Sequence, residues 1–271
     1  MDLGLAGAKV VIAGGTKGMG FAAAQCFASD GANVAVLARG RERLDLALDS
    51  LRDLGSPDPL AIQTDLRQLE SIERAFGEIA ERWEGVVNTL VNAAGPDDVG
   101  GGTVEELSDD AWLKTFEVGT LSAVRCVRTC LPMLRAAQWG RIVNLSAHSV
   151  KRQTPSLIAY TASKAALTSI GKNLSQLLAP EEILVNTVSP GSVLSAGLQR
   201  YLEGLPAERN VDPGNPYDAM RAITEDFGHP AYMPRAGNPN EIGVVIAFVG
   251  SRVNSYMTGA DINVDGGSDF V

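Results

Sequence analysis

Basic residues are in the minority in this chain of 271 residues: 23 lysines and arginines face 32 aspartates and glutamates, for a net charge of −9. A nucleic-acid surface needs a basic stripe, so charge argues against nucleic-acid binding, and it disfavours an anionic membrane surface too. Long apolar runs are also missing, and none approaches the ~18 residues that a membrane-spanning helix requires. The N-terminal stretch MDLGLAGAKVVIAGG carries one lysine and no cleavage-site pattern. It therefore reads as a first strand rather than a secretory signal. Cysteine and histidine are scarce. Cys26, Cys126 and Cys130 are odd in number, and the two histidines, His148 and His229, lie far in sequence from the Cys126/Cys130 pair. Neither a disulfide framework nor a metal site is expected. Buried thiols in a reducing, cytoplasmic setting fit this usage.

What is present is a regular alternation. Short β-rich runs at 9–13, 33–38, 60–64, 89–92, 141–145, 184–188 and 260–264 are separated by stretches of helical period. Leu44, Ala47, Leu48 and Leu51 mark one apolar helix face, and Ile72, Phe76, Ile79 and Trp83 another. Longer helices are expected over 109–135 and 156–178. Apolar strands alternating with helices predict an α/β, doubly wound Rossmann fold, with a seven-stranded, mostly parallel sheet in a single domain over 1–271. Residues 195–234 break the rhythm with five prolines and no strand pattern. Such an insertion after a strand end reads as a substrate lid.

The first strand runs into Gly14-Gly15-Thr16-Lys17-Gly18-Met19-Gly20 and then into a helix. Glycines permit a tight turn and a close approach of backbone to a pyrophosphate, whose charge meets the helix N-terminus. Three residues separate Gly14 from Gly18, unlike the G-x-G-x-x-G dinucleotide fingerprint. Further along stand Asn92-Ala93-Ala94-Gly95, Tyr160-Thr161-Ala162-Ser163-Lys164 and Pro190-Gly191. The tail has Arg235, Gly237, Tyr256-Met257-Thr258-Gly259 and Val264-Asp265-Gly266-Gly267.

In order and spacing, these elements resemble the short-chain dehydrogenase/reductase family over nearly the whole chain. The resemblance implies an NAD(P)-dependent oxidoreductase that interconverts a carbonyl and a secondary alcohol. The cofactor contacts it implies come from Gly14, Thr16, Lys17, Gly18, Met19 and Gly20. Others come from Asp65 and Leu66 beside the adenine, from Asn92, Ala93 and Gly95, from Tyr160 and Lys164, and from Pro190, Gly191, Val193 and Ser195. It also implies a homo-oligomer, a tetramer or dimer, packed through the two long helices with a second contact at the C-terminal strand and tail.

The second strand bears on which cofactor binds. An acidic residue at its end would hold the ribose 2′-hydroxyl of NAD(H). Ala38 stands there, followed by Arg39, and Lys17 lies within the glycine turn. Two cations and no acid suit a 2′-phosphate, so NADP(H) is preferred over NAD(H).

Tyr160 and Lys164 are four apart and share a helix face. An ammonium beside a phenol favours the phenolate, so Tyr160 can act as acid/base with Lys164 assisting. The family usually adds a serine and an asparagine, and this sequence departs at both. Ala147 takes the serine's place, thirteen positions before Tyr160, and Gly119 the asparagine's. Ser146 is the nearest hydroxyl and the expected substrate-oxygen donor, with His148 and Ser149 close by. The departures also motivate an alternative, an NADP(H)-binding sensor or scaffold with weak or no catalysis. Leu194, Leu198, Tyr201, Leu202, Tyr217, Met220 and Phe227 give the lid an apolar surface, which points to an apolar carbonyl or alcohol as substrate.

Overall fold

The computed structural model of the protein describes residues 2–95 and 101–270. Its strands are β1 (Lys9–Ala13), β2 (Asn33–Ala38), β3 (Leu60–Gln63), β4 (Thr89–Asn92), β5 (Gly140–Leu145), β6 (Ile183–Pro190) and β7 (Asp261–Val264). They form one parallel sheet in the order β3-β2-β1-β4-β5-β6-β7. Val10, Val11 and Ile12 are all fully buried, although neighbours on a strand face opposite ways. Both faces of the sheet must therefore be covered, as the apolar strand runs imply.

Two apolar clusters do the covering. Val10, Ile12, Val34 and Val36 pack with Phe27 of helix α1 (Gly18–Ser29) and with Leu44 and Leu51 of α2 (Arg41–Asp53). On the other face, Val11, Ala35 and Leu37 meet Phe76 and Ile79 of α3 (Leu69–Arg82). The segment 109–135 is broken in the middle. α4 (Asp109–Phe116) passes through a π-helical turn at Glu117–Leu121 into α5 (Ser122–Ala136). α6 (Ile158–Leu178) follows β5.

The lid folds into α7 (Ala196–Glu203) and α8 (Pro216–Phe227). Leu202, Ala219, Ala222 and Ala236 form a small core there, with Leu194, Leu198, Leu205 and Val211 packed on it. Leu194, Leu198 and Leu202, three of the seven side chains that pointed to an apolar substrate, thus help hold the lid together. The last helix, α9 (Pro239–Val249), opens with a capping box between Asn238 and Glu241. It lies so close on α1 that a Cβ at Gly243 would sit 2.7 Å from the Ala22 carbonyl carbon. Strand order reverses between β1 and β4, and the carboxyl ends of those strands open a crevice where ligands bind in such sheets.

Candidate active site

The glycine turn closes on itself at that crevice. Gly14 has φ +89°, and a Cβ there would lie 2.8 Å from the Ala94 nitrogen. A Cβ on Gly20 would come within 2.3 Å of the Gly14 carbonyl oxygen. Only glycine fits at either position. Lys17 precedes the first turn of α1, and no side chain caps that end. Its first N–H groups are left for an anion, as a pyrophosphate cradle requires.

The residues expected around the adenosine lie at the ends of β2, β3 and β4. Arg39 is exposed just past Ala38, and Gln63 Nε2 donates to its carbonyl at 2.9 Å. Asp65 is paired with Arg67 at 2.7 Å, and hydrogen bonds from that guanidinium pull its carboxyl below the usual range. Ala93 continues the ladder by donating to the Ala13 carbonyl. Asn92 is buried, and its Nδ2 donates 2.9 Å to Oδ1 of Asn144, its register partner on β5. Its side chain is thereby turned into the sheet, and its Oδ1 has no hydrogen-bond partner among the described residues.

The catalytic helix is held at β5. Lys164 is 3% exposed, and its Nζ donates 2.8 Å to the Leu145 carbonyl, beside Gly95. Burial brings its pKa down to about 8, and burial pushes the Tyr160 phenol up to about 12. An ammonium beside a phenol favours the phenolate. In the protein alone burial prevails, and Tyr160 keeps its proton at neutral pH.

Ser146, the expected donor, has its hydroxyl engaged elsewhere. Its hydroxyl donates to the Lys164 carbonyl at 3.1 Å and lies 2.8 Å from the Thr168 hydroxyl. Strand alternation aims it at the backbone of α6, where it fastens that helix to β5. Ala147, the next residue, is buried and offers no donor. Gly119 sits in the π-helical turn, where a Cβ would be only 2.0 Å from Ser163 Oγ. The Ser163 hydroxyl of α6 thus fills the space of a side chain at 119.

Further along, Pro190 ends β6, and a Cβ on Gly191 would meet Asp265 Cα at 2.7 Å. Val193 bridges to Gly237 at the base of the lid. Ser195 caps α7, its hydroxyl accepting from the Leu198 N–H at 3.4 Å. Among the described residues no group of three or more histidines, cysteines or acids is placed to hold a metal ion.

A family model described as enoyl-(acyl carrier protein) reductase matches residues 13–269. The chain belongs to the short-chain dehydrogenase/reductase family. An L-sorbose reductase from Gluconobacter frateurii, solved in complex with NADPH and L-sorbose, superposes with a TM-score of 0.92 at 27% identity, over 100% of both chains. The uncharacterized oxidoreductase YvrD of Bacillus subtilis (strain 168) is 29% identical, over 98% of each chain. The NADPH-dependent aldehyde reductase 1, chloroplastic, of Arabidopsis thaliana is 28% identical, over 97% of this chain and 87% of its own.

Against the family's pattern of short-chain dehydrogenases/reductases, this member keeps the glycine turn and the tyrosine–lysine pair. It lacks the serine and the asparagine. Two buried polar residues also converge here, one of them, His148, already expected near the substrate oxygen and the other, His229, not. His148 follows Ala147, and its ring meets that of His229, from the loop after α8, at 5.1 Å. The signal was slight: two lone histidines on distant segments.

Proposed function

We propose that this protein is an NADP(H)-dependent oxidoreductase that interconverts a carbonyl and a secondary alcohol, with Tyr160 as acid/base and Lys164 assisting. The observation that carries the reading is the buried Lys164, held on the Leu145 carbonyl one helical turn from Tyr160 at the carboxyl end of the sheet. The glycine cradle, where any Cβ at 14 or 20 would strike backbone, fits a dinucleotide. Arg39 and Lys17, with Ala38 in place of an acid at the end of β2, fit its 2′-phosphate. The names of the L-sorbose reductase and the aldehyde reductase, both tied to NADPH, support that choice.

The cofactor, when bound, supplies or accepts a hydride. Tyr160, protonated at neutral pH, gives its phenolic proton to the substrate oxygen in the reducing direction and recovers it from solvent. Lys164, charged below about pH 8, stabilises the phenolate left behind. With Ser146 bonded to α6 and Ala147 apolar, Tyr160 is the principal donor to the substrate oxygen. Tyr160→Phe should lower kcat/KM for carbonyl reduction at least ~10²-fold while NADPH still binds. Unchanged turnover in that variant would refute the assignment. Tight NADPH binding with no turnover of any ketone, aldehyde or quinone by the native protein would favour the sensor reading, which Ala147 and Gly119 motivate.

A homo-oligomer belongs to the same reading. Leu113, Leu121 and Leu177 form exposed apolar surface on α4, the π-helical turn and α6, and Val244, Phe248 and Tyr256 do so near the C-terminus. Tyr256, at 97% exposure, is the extreme case. Sedimentation should show a dimer or tetramer at micromolar concentration, and a monomer alone would remove the proposal.

A further inference from the structure

α2 carries three arginines, and two of them have acidic partners on the helix. Arg41 pairs with Asp45 and Arg52 with Asp49, each at 3.2 Å and at the four- and three-residue spacings where helical side chains meet. Arg43 has no such acid. Its neighbours at those spacings are Arg39, Gly40, Leu46 and Ala47. Among the described residues its exposed side chain forms neither a hydrogen bond nor an ion pair. In a chain of net charge −9, that leaves a cation available to an external anion.

The position of Arg43 indicates which anion. Its side chain lines an open cleft of about 300 Å³ with Thr16, Phe21, Leu46, Ala47 and Ser50. The cleft runs between α1 and α2, and Thr16 carries it to the glycine turn. Ser50 is tied across to α1, its hydroxyl accepting from Gln25 Nε2 at 3.5 Å. Phe21, Leu46 and Ala47 supply apolar wall. Two donors remain without a partner among the described residues, the Thr16 hydroxyl and the Arg43 guanidinium. A hydroxyl and a guanidinium on one cleft are the donors that a phosphate oxygen selects. Thr16 directly precedes Lys17, and Arg43 stands four residues after Arg39. Both sides of the cleft therefore adjoin a cation already assigned to the 2′-phosphate.

We propose that Arg43 is a third cationic contact to the 2′-phosphate of NADP(H), donating together with the Thr16 hydroxyl, and so a further determinant of NADP(H) over NAD(H). This rests on the NADP(H) reading of Lys17 and Arg39. The planar guanidinium can bond two phosphate oxygens at once, which a ribose 2′-hydroxyl does not offer. Arg43 thus acts on the phosphorylated cofactor alone.

Fluorescence titration of NADPH and NADH into the native protein, Arg43→Gln and Arg52→Gln tests this. Arg43→Gln should weaken NADPH about 10-fold, the loss expected for one charge-assisted hydrogen bond, and leave NADH within about twofold. NADH binding in the same variant reports that its fold is intact. Arg52→Gln removes an equal charge from the other end of α2, where Arg52 is paired with Asp49, and should alter neither affinity by more than about twofold. Calorimetry with adenosine 2′,5′-bisphosphate, which carries the 2′-phosphate but no nicotinamide, should show the same loss in Arg43→Gln.

Unchanged NADPH binding in Arg43→Gln, equal weakening of NADPH and NADH, or an equal effect of Arg52→Gln would overturn the proposal. The two readings fail differently. A native protein that binds NADPH and NADH alike would strike the NADP(H) reading and this proposal with it. A native preference for NADPH that Arg43→Gln leaves intact would strike the role of Arg43 alone, and the phosphate would stay with Lys17 and Arg39.

Discussion

A methyl group added at Gly119 should unsettle the seat of the catalytic helix. The added Cβ would lie 2.0 Å from Ser163 Oγ and 3.4 Å from Ser163 Cβ. Ser163 is fully buried, and its hydroxyl lies 3.4 Å from the Thr115 carbonyl and 3.3 Å from the Thr120 hydroxyl. Rotating that hydroxyl away leaves it without these partners, at a cost of ~1–3 kcal/mol. Residual crowding adds ~1–3 kcal/mol, and replacing glycine by alanine in a helix returns ~1 kcal/mol. The balance is a loss of about 3 kcal/mol for Gly119→Ala, within a range of ~1–5.

Ser163→Ala removes the obstructing oxygen and loses only two long hydrogen bonds, about 1 kcal/mol. The Thr120 hydroxyl keeps its 2.8 Å bond to the Ser163 carbonyl. In the double variant the two Cβ atoms fit at 3.4 Å, so its loss should be smaller than the sum by at least ~1.5 kcal/mol. Urea unfolding of the four proteins at one fixed concentration measures this coupling. Additivity within ~0.5 kcal/mol would refute the claim that Ser163 occupies the side-chain space of position 119.

Arg39→Ser should weaken NADPH binding about 10- to 100-fold through loss of a charge-assisted hydrogen bond, and leave NADH nearly unchanged. Fluorescence titration with both nucleotides checks this, and equal weakening of the two would remove Arg39 from the 2′-phosphate. Stability should fall with pH below 6.5. Burial is the largest cause lowering the pKa of both histidines. His148 also faces the Asp265 and Asp269 carboxylates, which oppose that shift, and Arg152, which adds to it. His229 is further lowered by His148 and Arg152. The folded state therefore refuses protons that the unfolded chain binds, at His229 between about 6.5 and about 4. Within that window His229 contributes a slope of up to ~1.4 kcal/mol per pH unit, and His148, lowered as well, adds to it below its ordinary value. His229→Leu should flatten the slope between pH 6.5 and 5 in urea unfolding, and an unchanged slope would contradict the pair's burial as neutral rings.

Where a residue pattern repeats locally, the chain was readable. The apolar runs at 9–13, 33–38 and 89–92 are the observed strands β1, β2 and β4. A parallel sheet followed because no polar face was available to them. α9 is not among the expected helices, although Asn238-Pro239-Asn240-Glu241 is a capping box with proline in the first turn. The π-helical turn within 109–135 was not readable. Its cause is the contact of Gly119 with Ser163, which local periodicity does not contain. The same holds for the role of Ser146, whose partners Lys164 and Thr168 lie on another element, and for the meeting of His148 with His229.

The two departures from the family's catalytic set have one structural setting. An asparagine at 119 would help hold the lysine through a water relay, and a side chain there would displace Ser163. Here Lys164 Nζ bonds directly to the Leu145 carbonyl, and its own carbonyl accepts from Ser146. The lysine is thus gripped from β5 at both its head and its backbone, so its position does not depend on residue 119. Ser163, one residue before it, can then fill the gap and lock α6 against the π-helical turn. The lysine's place is secured by the strand end. The missing serine is a different matter, because a donor to the substrate oxygen cannot be replaced by anchoring. That deficit falls on Tyr160, whose raised pKa keeps it a donor.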